Sequence, residues 1–94
     1  MPRYLIEVSH DPRPLECLMA IQILQKTGSH FVTHADYGCL DDIHKSWVTV
    51  EVESKDEARN MLPPAYRSKA TIVQLSKFTV EEIDELIKHH PSAT

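Results

Sequence analysis

The sequence predicts an α+β domain built on a four-stranded antiparallel sheet, and three observations carry that expectation. Residues 44–53, HKSWVTVEVE, alternate strictly: Val48, Val50 and Val52 are separated by Trp47, Thr49 and Glu51, the period of a half-buried strand. Ser54 with Glu57, and Thr79 with Glu82, have the spacing of a capping box, so each opens a helix directly after an apolar, strand-like run. The 94 residues suit one domain with a modest core.

The elements follow in order. RYLIEVS, residues 3–9, is β-branched and apolar enough for a first strand. Pro14 opens a helix, because its missing N–H needs no partner in the first turn, and the helix runs to Lys26 before Gly28. HFVTHADY, residues 30–37, alternates and is expected as the second strand, and GCLDDI turns the chain with Asp41 and Asp42. The alternating valine segment is the third strand. A short helix follows Ser54 to about Leu62, Pro63-Pro64 stops it, and a further helical turn lies in AYRSKA. TIVQLSKF is the fourth strand, and Val80, Ile83, Leu86 and Ile87 share one face of a terminal helix over about 80–90. This order is the ferredoxin-like βαββαβ unit, over about residues 3–78, plus an extra C-terminal helix; its sheet has the spatial order 4-1-3-2, with helices on one face.

Composition excludes several roles. The net charge is -4 with no basic run, which argues against nucleic acid as a partner. No apolar stretch reaches the roughly 18 residues of a spanning helix, and MPRYLIEVSHD has no signal-peptide pattern, so no membrane association and a cytoplasmic location are expected. Cys17 and Cys39 are too few for a disulfide scaffold and are expected as free thiols.

Residues two apart on a strand share a face. Ile6 and Val8, the three valines, and Val73 with Leu75 are expected against the helices, joined by Phe31, Ala35 and Tyr37. The open face then collects Leu5, Glu7, His30, Val32, His34, Asp36, Trp47, Thr49, Glu51, Ile72 and Gln74. That mixture of apolar and convergent polar groups resembles a half-covered pocket. Glu7 and Glu51, on the two central strands, are candidate acid and base, with His34 as the proton carrier; Trp47, Thr49 and Gln74 are candidate ligand contacts. His34 and Asp36, two apart, are candidate metal ligands for Ni or Zn together with the glutamates. His30 and His34 have a helical ligand spacing, but on a strand they stand about 13 Å apart and cannot share an ion. Cys39 and His44 face each other across the turn without an evident third group to orient them, Cys17 reads as core, and His10 reads as the end of a strand. The first helix is apolar on nearly every side, which calls for cover on both faces.

The element order and the stretch SWVTVEVESKDEARNMLPP, a strand running into a capped helix, resemble the dimeric α+β barrel superfamily. The VESKDE junction is similar to that of the muconolactone isomerases. The resemblance implies a homodimer formed through the open sheet face, with a small molecule bound between sheet and partner and isomerase- or oxygenase-like chemistry. The alternatives are a metal-binding protein and a non-enzymatic association or regulatory module; no cofactor is specified.

Overall fold

The computed structural model describes residues 1–93, apart from the side chains at 29, 30 and 93. Strands β1 (Arg3–Ser9), β2 (Asp36–Tyr37), β3 (Lys45–Glu51) and β4 (Ala70–Leu75) form one antiparallel sheet in the order β2-β3-β1-β4. Among the described residues there are five α-helices, α1 (Pro14–Thr27), α2 (Ser29–Thr33), α3 (Lys55–Asn60), α4 (Pro64–Arg67) and α5 (Val80–Lys88), and two short 3-10 turns, Cys39–Asp41 and Pro91–Ala93. No described helix is long and apolar enough to cross a membrane.

The alternation read in β1 and β3 produces the core. Tyr4, Ile6 and Val8 are buried, as are Val48 and Val50, and the register sets Tyr4 opposite Val50 and Ile6 opposite Val48. Leu24 from α1, Phe31 from α2, and Ala58 and Leu62 from the α3 region close over this face. Val52, just past β3, is half-buried against the same cluster. Both predicted helix starts carry their caps: Ser54 Oγ accepts from Glu57 N–H at 3.1 Å, and Thr79 Oγ1 accepts from Glu82 N–H at 3.0 Å. Arg59 and Arg67 hold the loops on either side of α4 by donating to the carbonyls of Ala70 and Leu62 at 3.1 and 3.0 Å.

Two expectations fail. Residues 30–37 do not form a strand. The chain turns helical at Ser29, and only Asp36 and Tyr37 pair with β3. Tertiary packing overrides the β-branched local pattern: the helical turn drives Phe31 into the core at 2 % exposure. The strand-based argument separating His30 from His34 therefore lapses, and the side chain of His30 lies outside the described residues.

The parity of β4 is also reversed. Ile72 pairs with Ile6 and is buried, while Val73 pairs with Leu5 on the open face and is 43 % exposed. Gln74, expected as an open-face ligand contact, pairs with Tyr4 and so belongs to the helix side. The run Ile72-Val73 gives no alternation, and only the ladder with β1 decides which member enters the core.

Candidate metal centre

One end of the sheet gathers four metal-ligating side chains. The β1–β3 ladder ends with Ser9 opposite Lys45, so the next pair out is His10 opposite His44, and His10 N–H donates to His44 C=O at 3.1 Å. By strand parity His10 falls on the side of Val8, and His44 on the side of Ser46 and Val48, which is the helix face. Above them starts α1. Pro14 sits in its first turn, and Asp11 fixes the approach by accepting from Arg13 N–H at 2.9 Å and from its guanidinium at 2.7 Å. The helix then buries one stripe, Cys17, Ala20 and Leu24, at the i, i+3, i+7 spacing of a single face. Cys17 is the first of these and points back toward the end of the sheet.

Cys39 arrives from the turn between β2 and β3. This turn is tight: Gly38 N–H donates to Lys45 C=O and Ile43 N–H to Gly38 C=O, and Asp42 takes the left-handed conformation at φ 59°. A Cβ on Gly38 would stand 2.7 Å from Ile43 C=O, so only glycine lets the loop close this far. The closure brings Cys39 inward and ends at His44.

The result is a compact His/Cys/Cys/His cluster whose ligand atoms lie within 4.8 Å of one another. His10 Nε2 is 3.2 Å from both Cys17 Sγ and Cys39 Sγ, and the two sulfurs are 3.1 Å apart and unbridged. His10 and Cys17 are buried; Cys39 and His44 are half-buried. His44 Nε2 faces Asp42 Oδ1 at 3.0 Å, while its buried Nδ1 has no hydrogen-bond partner. A carboxylate on one ring nitrogen fixes the tautomer and leaves the other nitrogen's lone pair for a metal. In His10 the nitrogen that faces the two sulfurs is Nε2, and Nδ1 is buried without a hydrogen-bond partner.

The electrostatics of the metal-free cluster are unfavourable to charge. Burial, then the neighbouring His44, pushes the His10 pKa below its ordinary value, with Asp11 opposing. Burial, and then the hydrogen bond and charge of Cys17, push the Cys39 thiol up to about 11. Burial first, and Cys39 second, also raise Tyr37. Neutral imidazole is the ligand form of histidine, and a bound cation would invert the penalty on a thiolate. A tetrahedral zinc ion with Zn–S bonds of about 2.3 Å would need its sulfurs roughly 3.8 Å apart, wider than their 3.1 Å separation.

The sequence-predicted site lies elsewhere. His34, Asp36, Trp47 and Thr49, with Leu5, line an open depression of about 200 Å³ on the other face of the sheet, and Glu51 borders a neighbouring one with Arg3 and His34. His34 and Asp36 are exposed, and they are not among the donors that converge. Glu7 and Glu51 do not form a carboxylate pair: Glu7 stands opposite Trp47 and Glu51 opposite Arg3, four residues or about 13 Å along the ladder. Glu7 accepts from Trp47 Nε1–H at 2.9 Å, and Lys45 Nζ lies 3.7 Å from its other oxygen.

Sequence reasoning paired Cys39 with His44 and stopped there. The signal that finds the rest is the ladder register, which places His10 beside His44, together with the one-in-three stripe that turns Cys17 toward them. The structure thus gives a small α+β protein with a His/Cys/Cys/His cluster between the sheet end and its first helix, an arrangement that fits metal binding. Comparison of the chain with protein-family models, curated proteins and solved structures gives no match.

Proposed function

We propose that this protein binds a thiophilic transition-metal ion, zinc foremost, through His10, Cys17, Cys39 and His44. The observation that carries the reading is the convergence of two thiols and two imidazoles, from three separate stretches of chain, within 4.8 Å. Two sulfurs and two nitrogens are the donor set of tetrahedral zinc sites and suit zinc better than nickel, which favours square-planar sites. Four protein donors leave no coordination position for substrate, so the ion's role is to hold structure: it ties the end of β1, the start of α1 and the β2–β3 turn together. Elemental analysis of protein purified without a histidine tag is expected to give about one zinc per chain. Less than about a tenth of any transition metal per chain would overturn the reading.

The sheet order supports a ferredoxin-like assignment, since from the β4 edge the strands run 4-1-3-2. A second reading, a small-molecule site on the open face, has in its favour that His34, Asp36, Trp47 and Thr49 share one concavity. On that reading a ligand raises the melting temperature of metal-loaded and metal-free protein alike, and a ligand that acts on only one of them contradicts it.

A further inference from the structure

We propose that the chain forms a homodimer in which the apolar face of α5 packs onto α1 of a second copy. This inference is independent of the metal reading. The first observation is that α5 stands away from the domain. None of its residues is buried, and it packs extensively against no other described element. The radius of gyration is 17.1 Å and the longest extent 56 Å, whereas a compact chain of this length has a radius of about 12 Å.

The projecting helix is sharply two-sided. Val80, Ile83, Leu86 and Ile87 form one stripe, continued by Phe78 before the cap, and their exposures range from 38 to 73 %. Glu81, Glu82, Asp84, Glu85 and Lys88 occupy the remaining surface. Ile83, Leu86 and Ile87, with His90 and Ser92, border a concavity of about 370 Å³ along this stripe. A lone helix of nine residues is marginal in water, and an apolar stripe gives it stability only when something covers the stripe.

The second observation is a matching deficit on α1. Its inner stripe meets the sheet, but Leu15, Leu18, Met19 and Ile23 are 40 to 64 % exposed on its outer side. Met19, Ile23 and Tyr66 border a concavity of about 240 Å³ that offers a seat for side chains from another helix. Within one chain α1 and α5 make no extensive contact among the described residues. Exchanged between two copies about a two-fold axis, each α5 covers the partner's α1, and both deficits close at once. Wholly covered, the nine residues would supply at most about 900 Å² per chain, against the roughly 800 Å² per partner of a standard interface.

The open sheet face offers less exposed apolar surface for such an interface: Val73 stands there in place of Ile72 at 43 % exposure, and Leu5 and Trp47 are half-buried already, with the indole bonded to Glu7.

Sedimentation equilibrium of the full chain tests the proposal. A species of twice the 10.8 kDa chain mass is expected at micromolar concentration. Leu86→Glu on α5 and Leu18→Glu on α1 are each expected to raise the dimer dissociation constant at least about 100-fold, with Glu81→Gln without effect. Circular dichroism of each variant should retain the sheet and the helices packed on it, since both leucines are exposed in the single chain, and lose no more than the helical signal of α5. A monomer at every concentration overturns the proposal. So does a dimer that survives Leu86→Glu, and one that survives Leu18→Glu removes α1 as the seat.

Discussion

Cys39→Ser is expected to lower zinc affinity by more than about 100-fold and to remove most of the stabilisation that the metal gives. The argument runs through linkage. An ion that binds only the folded chain stabilises it by about 4 kcal/mol when free metal is a thousandfold above its dissociation constant. For a domain of this size each kcal/mol moves the melting temperature by roughly 4–8 °C, so chelating the wild-type protein should lower it by about 15–30 °C. Serine keeps the volume of Cys39 but offers no thiolate, and the remaining three donors hold zinc far less tightly. Asp42→Asn provides the graded comparison. It leaves all four donors and weakens only the carboxylate behind His44, a change of about 10- to 100-fold in affinity. Competition with a chromogenic chelator measures both constants. Wild-type affinity in Cys39→Ser would contradict the assigned donor set.

Val50→Asp is expected to abolish cooperative folding. Val50 is 3 % exposed near the end of β3, opposite Tyr4, with the helices packed over it. An aspartate there buries a carboxylate with no partner, or protonates it at a cost that still leaves the group without a hydrogen bond. That loss is several kcal/mol, a large share of the roughly 5–15 kcal/mol that holds a small domain together. Thr49→Asp, one residue away on the exposed side of the same strand, should change stability by no more than about 0.5 kcal/mol. Thermal melts followed by circular dichroism separate the two. A sharp transition in Val50→Asp near the wild-type temperature would show that the face of β3 is misassigned.

The parts of the fold legible in the sequence are those where one residue pattern admits one structure. The strict alternation of β3, Pro14 at a helix start and two capping boxes each point to a single local conformation, and each element forms where expected. Residues 30–37 admit two. Their alternation fits a strand, but placing Phe31 in the core from a helical turn buries more than pairing a longer edge strand would. In β4, adjacent Ile72 and Val73 are equally apolar, and the ladder with β1 chooses between them.

The candidate site was half visible. Cys39 and His44 are close in sequence, so the turn alone suggests their meeting. His10 and Cys17 lie far from them along the chain and have innocuous local readings, a strand end and a core thiol. Only a register fixed to the residue brings His10 beside His44, and only the stripe through Ala20 and Leu24 turns Cys17 inward. His34, Asp36 and Glu51 share the open face by strand alternation alone, which groups side chains without bringing their donor atoms together. Density on an exposed face does not bring donors together, whereas convergence at a sheet end beneath a helix does.

X-ray absorption at the zinc edge tests the central claim most directly. The four-donor centre should give a first shell of two sulfurs at about 2.3 Å and two imidazole nitrogens at about 2.0–2.1 Å. A first shell of oxygen and nitrogen alone would contradict it, because no zinc site formed by these residues can leave out both cysteines.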